Sequence, residues 1–483
     1  MNDFFVSLML LGALSSGGYS EMPFWSTAGQ YGVMPEVSGG LALLRAGTSF
    51  DESKTIQWRW GASMGLRNDY WGANPFVDEL NAGLRWKQLR LDAGMIHPEQ
   101  HFQAADPSLG SLSVTSGNIM MSSNARTMPG IAATLEPWNI PFTAGHVQLA
   151  GRFGDYWTID KRYIQGARVH DTAIYLLGHI GRFSITAGID NYTMWAGTCP
   201  DGREQPHSFK DYLRAITGRP GGADATLGDQ VNSLGDHRGR ELIRFDYKAD
   251  RWSLTFQHDI PYDDRSGMKT HNFPDGVNTL CFSLKDKSSW ISDIVYEYHY
   301  TMNQSGDCER RLATEEEIAG NDLRLFYDEV SNQYFTVVGG ADNYCNNYDY
   351  LSGWTAFTRQ IGNPLFYSRW YRDEQTYYAQ GTWNNLLKAH HLGISGSLFR
   401  KIPYRLMLTF SENYGCWFDA RCWYDADNPF KKPLRQFSSG FSASIPLLEG
   451  ALCLIPAVYC DKGEALTDAF AATIALKYTF KKR

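Results

Sequence analysis

The sequence contains no apolar run long enough to cross a bilayer as a helix, which takes about 20 consecutive residues. It contains no basic stretch, and its formal net charge is −7, so nothing in it points to nucleic acid. None of its eight cysteines stands in a CxxC pair, which leaves a zinc or thioredoxin-like centre without support. A P-loop, a Rossmann glycine pattern and a G-x-S-x-G elbow are also missing. No repeat of the length used by propellers or solenoids is visible. Aromatic residues, by contrast, are abundant: 27 Tyr, 26 Phe and 15 Trp in 483 residues. Charged residues make up 20%, and mean hydropathy is −0.37. That composition excludes a disordered chain. It fits a large antiparallel β-protein, and an outer-membrane barrel best.

Period-two alternation is the dominant local signal. Ile56, Trp58, Trp60, Ala62, Met64 and Leu66 share one face, opposite Gln57, Arg59, Gly61, Ser63 and Gly65. Tyr404, Leu406, Leu408 and Phe410 repeat the pattern, as do Phe470, Ala472, Ile474, Leu476, Tyr478 and Phe480. Runs of about ten residues match a tilted transmembrane strand, whereas soluble sandwiches average nearer five or six. The connections are asymmetric. Short turns are expected at Lys87–Gln88, Gly181–Arg182, Ala249–Arg251, Asp286–Ser289, Arg400–Pro403 and Leu448–Gly450. Long polar segments fall near 97–128, 193–239, 302–349, 360–387 and 414–435. One short-turn rim and one long-loop rim are what a bacterial transmembrane barrel shows. The predicted fold class is all-β: an antiparallel transmembrane barrel of about 18 strands, its lumen occluded by loops and short helices.

Phe4 to Leu14 has the length of a signal-peptide apolar region, and the small residues Ser15, Ser16, Gly17 and Gly18 follow it. The first basic residue is only Arg45, so the alternative is a first strand buried in the barrel. The division expected is a signal peptide over 1–20 and one barrel domain over 21–483, with strands from about 40 to 480. Cys308–Cys345 and Cys416–Cys422 are candidate loop disulfides, whereas Cys281 and Cys453, inside strand-like runs, read as free thiols. Ser208 and Asp211 predict a capped helix carrying Tyr212, Leu213 and Ile216, expected with segment 97–128 to help fill the lumen.

Candidates for chemistry are few. His97 and His101 lie four apart, but Pro98 breaks the helix that would bring them to one metal. His390 and His391 are neighbours on a strand-like run and point to opposite faces, so they do not chelate one ion. No metal, cofactor or catalytic residue is assigned. The stretch 366–383 mixes Arg369, Trp370, Tyr371, Arg372, Tyr377, Tyr378 and Trp383 with polar residues. Its aromatics would stack on sugar rings, and its arginines would pair with acidic sugars. The same composition also suits an interfacial aromatic girdle with polar loop tips.

Several segments resemble the capsule assembly Wzi family of outer-membrane proteins, in the version common in Bacteroidetes. They begin with Pro23-Phe24-Trp25-Ser26-Thr27-Ala28-Gly29-Gln30-Tyr31-Gly32. Ser116-Gly117-Asn118 follows, then Ser123-Asn124-Ala125-Arg126-Thr127-Met128-Pro129-Gly130. Later come Val295-Tyr296-Glu297-Tyr298, Gln304-Ser305-Gly306, Asn343-Tyr344-Cys345-Asn346-Asn347 and Gly353-Trp354. Gly362-Asn363-Pro364-Leu365 and Lys388-Ala389-His390-His391-Leu392-Gly393-Ile394-Ser395-Gly396 complete the series, in family order. Cys345 departs from the pattern, which has an aromatic there. The resemblance implies an eighteen-stranded occluded barrel in the bacterial outer membrane that binds capsular polysaccharide and catalyses nothing. Ser116, Gly117, Asn118, Asn124, Arg126, Pro129, His390 and His391 are read as structural, because a folded-in loop must hydrogen-bond its backbone. The expected partners are capsular or other surface polysaccharide and outer-membrane lipid, with the barrel monomeric. Two rival functions stand beside this one. A diffusion porin would conduct, and a lipid hydrolase would depend on one Ser or Asp for turnover. A TonB-dependent transporter is disfavoured because strands starting near 40 leave no room for a plug domain.

Overall fold

Eighteen spans form one closed antiparallel sheet in a computed structural model of the chain. It describes residues 4–482 except 71, 98–113, 264–269, 271, 306–308, 321–324, 329–330, 339–341, 373–376 and 417–431. The spans are β1 (Phe4–Ser15), β2 (Gly39–Thr48), β3 (Ile56–Asp69), β4 (Gly72–Trp86), β5 (Leu89–Met95) and β6 (Pro129–Asn139). They continue as β7 (Val147–Trp157), β8 (Arg168–Ile180), β9 (Phe183–Trp195), β10 (Asp236–Lys248), β11 (Trp252–Asp263) and β12 (Gly276–Leu284). The last six are β13 (Asp293–Tyr300), β14 (Leu386–Leu398), β15 (Ile402–Gly415), β16 (Leu434–Ala443), β17 (Leu452–Gly463) and β18 (Ala469–Lys482). Ile445–Leu447 continues β16 along β17. Each span pairs with its sequence neighbours, and β1 pairs with β18 to close the ring.

The alternating residues behave as a lipid boundary requires. Trp58, Met64, Leu66, Phe410, Phe470, Ile474, Leu476 and Phe480 are large, apolar and exposed, far more than a soluble surface carries. Their neighbours Ser63, Thr409, Ser411, Ala471 and Ala475 face inward and are buried. All six expected turns fall on one rim, where both ends of the described chain also lie. Every connection on that rim is short, and the long connections 16–38, 96–128, 196–235 and 301–385 all lie on the other. The two segments expected near 302–349 and 360–387 are parts of one crossing between β13 and β14. Its described residues carry three small sheets of their own and no barrel strand.

Two expectations are corrected. Residues 4–15, read from sequence as part of a leader or else a buried first strand, take the second form, ahead of the strands expected from about 40. The stretch is barrel strand β1, bonded on both sides. It lacks polar alternation because its lumen side meets an apolar cluster: Leu11 and Ala13 pack with Val33, Met34, Leu41, Leu43, Phe76 and Ala475. The capped helix exists as Phe209–Thr217, with Ser208 and Asp211 exchanging the two cap hydrogen bonds and Gly218 left-handed at its end. It does not fill the lumen. Its Tyr212 hydroxyl donates to Asp155 at 2.8 Å and its ring packs on His170 and Trp195. Those three residues alternate with lumen-facing Tyr156, Val169 and Met194, so the helix lies on the outer face of β7–β9 at the long-loop rim.

The lumen is filled by three other segments: 23–34, 114–128 and 342–367. Ile119, Met120, Tyr344, Trp354, Ile361 and Leu365 form an apolar core against wall residues Ala132, Tyr192, Val277, Leu387 and Ala389. Trp354 donates its indole N–H to the Met120 carbonyl at 2.6 Å. Gly393 of β14 is the point of closest approach: a Cβ there would overlap the Val114 carbonyl, so only glycine lets the segment reach the wall. Below and beside this core the wall is charged and paired. Arg59–Asp92 (2.9 Å), Arg90–Asp92 (2.7 Å), Arg152–Asp171 (2.8 Å) and Arg240–Asp259 (2.7 Å) run round β3 to β11. Buried charges need such pairing, and these line the lumen and not the lipid.

Candidate functional site

A cleft of about 370 Å³ opens at the long-loop rim, within the roughly 300–1,000 Å³ range of small-ligand sites. Four parts of the chain build it. The β1–β2 connection supplies Glu21, Met22, Phe24, Thr27 and Glu36, and the β3–β4 turn supplies Tyr70. The β17–β18 edge contributes Asp461 and Thr467, and the long crossing contributes Arg359, Gln360, Tyr367, Ser368 and Trp383. Hydrogen bonds tie these parts together. The Phe24 N–H donates to Asp461 Oδ2 at 2.8 Å, which pins the lumen segment to β17. Glu21 accepts from the Tyr70 hydroxyl at 2.8 Å and from Thr467 at 3.3 Å. Arg359 reaches Glu36 and the Thr27 carbonyl, both at 3.4 Å.

One wall is aromatic. The Trp383 and Tyr367 rings lie 5.4 Å apart, and Phe24 meets Tyr367 edge-on at 5.9 Å. The rest of the lining is polar and incompletely matched. Gln360 Nε2 and Ser368 Oγ are buried and find no hydrogen-bond partner among the described residues, whereas Asp461 takes the Phe24 N–H and lies beside the Ser438 hydroxyl. Leaving such groups unmatched costs about 1–3 kcal/mol each. Two of them around one cleft, with the Asp461 carboxylate beside them, suit a ligand that donates and accepts at several points. A sugar hydroxyl does both, and a sugar ring offers the apolar C–H face that an aromatic wall covers.

Of the seven residues singled out in 366–383, Trp383 lines the cleft. The backbones of the others belong to a hairpin, Tyr367–Arg372 paired with Tyr377–Asn384, that rises from it. The side chains of Arg369, Trp370, Tyr371, Arg372, Tyr377 and Tyr378 lie outside the described part of the structure. Glu21, Glu36, Tyr70, Arg359, Gln360 and Asp461 were not singled out. They come from distant stretches of sequence, and no local motif joins them.

The segment 114–128 is held by its polar side chains. Ser116 donates its N–H to Glu297 at 2.9 Å, and its hydroxyl reaches Glu297 and His299. Gly117 is left-handed at φ 110, and its carbonyl accepts from Asn363 at 2.7 Å. Asn118 Oδ1 accepts the Met120 and Met121 N–H groups, and Asn124 donates to the Gln360 carbonyl at 3.0 Å, fixing one wall of the cleft. Arg126 sits 3.9 Å over the Phe357 ring and donates to the Val77 carbonyl. Burial lowers its guanidinium to about 10, so it stays charged at neutral pH. Pro129 begins β6. His391 faces the lumen, bonded to Thr409 at 2.8 Å and the Val114 carbonyl at 2.9 Å. Trp25 donates to the same Thr409 hydroxyl at 3.1 Å. His390 points outward and meets the Tyr296 hydroxyl at 2.7 Å.

No family model and no curated protein matches the sequence. Solved structures match the fold. Wzi of Escherichia coli, reported as an outer-membrane carbohydrate-binding β-barrel involved in group 1 capsule assembly, aligns over 98% of this chain and 84% of its own. The TM-score is 0.57 at 10% identity. OccK5 of Pseudomonas aeruginosa aligns over 100% and 98% with a TM-score of 0.45 at 8% identity. OccAB3 of Acinetobacter baumannii aligns over 100% and 99% with a TM-score of 0.46 at 9% identity. The likeness is one of fold, a closed eighteen-stranded barrel of the outer-membrane type.

Within this barrel, Asp78, Glu79 and His97 form the group of possible metal ligands found among the described residues. They already satisfy one another and the protein: Asp78 holds His97 at 2.7 Å, Arg45 at 3.1 Å and Ser63 at 2.8 Å. Tyr31 stacks on the His97 ring at 3.7 Å. His101, the other half of the pair weighed from sequence, lies outside the described residues, as do Cys308 and Cys422 of the two expected disulfides. Cys345 is a free thiol buried in the lumen core, where a small side chain fits beside Tyr344, so it does not mark a disulfide.

Proposed function

We propose that this chain is a non-enzymatic outer-membrane barrel that binds surface or capsular polysaccharide and assists its assembly or attachment. The observation that carries the reading is the rim cleft, whose lining joins the aromatic rings of Trp383 and Tyr367 to two buried polar atoms without partners among the described residues. It opens on the long-loop side, where a polymer outside the cell would meet the protein. The filled lumen supports the same reading, because a diffusion porin needs a water path where Trp354, Tyr344 and Met120 pack. The carbohydrate binding reported for the similar barrel of E. coli agrees with it. The barrel acts as a monomer set in outer-membrane lipid, its exposed apolar belt covered by acyl chains. A glycan array probed with purified, detergent-folded barrel tests the proposal. Binding of surface polysaccharides by the parent and its loss in Trp383→Ala is the expected result. Absence of any glycan binding, together with steady ohmic conductance, would favour the porin instead.

A further inference from the structure

We infer that the rim cleft selects an uncharged pyranose unit and rejects uronic acids. This rests on the polysaccharide reading and specifies its ligand. The argument is the charge around the cleft. Among the described residues three carboxylates line it, Glu21, Glu36 and Asp461, against the one guanidinium of Arg359. Arg359 is already directed at Glu36 and the Thr27 carbonyl, so its planar fork is not presented to a ligand carboxylate. Glu36 is also balanced by Arg67 at 3.8 Å. Glu21 accepts hydroxyl hydrogen bonds, and Asp461 a backbone N–H and the Ser438 hydroxyl, so among the described residues neither is balanced by a cation.

The unmatched atoms agree with this. Asp461, 4% exposed and held by the Phe24 N–H and the Ser438 hydroxyl, is an acceptor that suits a sugar hydroxyl and not a carboxylate. Gln360, 1% exposed, offers Nε2–H to a hydroxyl or an N-acetyl carbonyl, and Ser368 serves either role. Trp383 and Tyr367 provide the surface for the ring. A uronate in the same position would bring a third uncompensated negative charge beside Glu21 and Asp461. Like-charge juxtaposition is a means of rejecting wrong partners. Acidic polymers are then held through their neutral residues, with their carboxylates directed away from the cleft.

The test is saturation-transfer NMR on the full-length folded barrel with methyl glucoside, N-acetylglucosamine and glucuronate, each titrated and competed. The neutral sugars should bind, and glucuronate should bind roughly tenfold more weakly or not at all. Asp461→Asn removes the charge and should narrow that gap by weakening neutral sugars and admitting glucuronate. Glu21→Gln, at the open edge of the cleft, should narrow it in the same direction and serves if Asp461→Asn loses its heat-modifiable fold. Glucuronate binding the parent as well as the neutral sugars overturns the inference, as does selectivity unchanged in both variants. Equal binding of acidic and neutral sugars that is lost in Trp383→Ala overturns the charge selection alone. No binding of any saccharide defeats the polysaccharide reading with it.

Discussion

Trp354→Ala should loosen the lumen filling while leaving the barrel closed. Trp354 is fully buried, its indole N–H donates to the Met120 carbonyl at 2.6 Å, and its ring packs 5.5 Å from Tyr192. The Arg238 guanidinium lies 5.3 Å over the same ring. Truncating a buried tryptophan costs about 3–5 kcal/mol, and the stranded carbonyl adds roughly 1 kcal/mol. These contacts join filling segments to one another and to the wall, so the loss falls on docking of the filling and not on the strand ladder. At about 1.4 kcal/mol per tenfold, the opening equilibrium should shift by roughly three to four powers of ten. Hydrogen exchange read by mass spectrometry measures this directly. Peptides over 114–128 and 342–367 should lose protection by that factor, and peptides from β7, β8 and β18 should keep theirs. Unchanged protection in the two segments, or equal loss in the strands, would refute the separation of wall from filling.

Gly393→Ala should push segment 114–128 off β14 and turn a silent barrel into one with flickering conductance in planar bilayers, whereas the parent shows no steady ohmic channel. Ser208→Ala removes one half of the capping box and should cost about 1 kcal/mol, seen as faster exchange confined to 209–217. The mature protein should retain Phe4–Ser15, since β1 bonds to both β2 and β18; N-terminal sequencing that places the mature start near residue 20 would contradict β1 as a wall strand. Replacing Trp370, Tyr371 and Arg372 together by Ala should weaken polymer retention without altering heat-modifiability, because they continue the strand that carries Tyr367 in the cleft lining; full retention would confine binding to the cleft.

Much of the wall was legible because lipid on one side and a polar lumen on the other impose period two. Tyr404 to Phe410 and Phe470 to Phe480 show it without interruption. The first strand escaped because Leu11 and Ala13 face apolar neighbours inside the lumen, so both of its faces read as apolar. The helix at 209–217 was legible from Ser208 and Asp211, but capping is local and does not say which face of the wall the helix covers. Trp383 stood out as one of a cluster of aromatics. Glu21, Arg359, Gln360 and Asp461 did not, because the closed sheet brings connections hundreds of residues apart to one point on the rim. The lumen filling was anticipated only in part, through 97–128; segment 23–34 and the region around Trp354 carry no period that marks them as interior.

The central claim is that this barrel holds polysaccharide at the cell surface. The most direct measurement is the ratio of cell-attached to released polymer in the native bacterium without the gene, then complemented with the parent chain or with Trp383→Ala. The account predicts that loss of the gene shifts polymer into the medium, that the parent restores attachment, and that Trp383→Ala, inserted at normal abundance, does not. An attached fraction that stays the same in all three strains would contradict it.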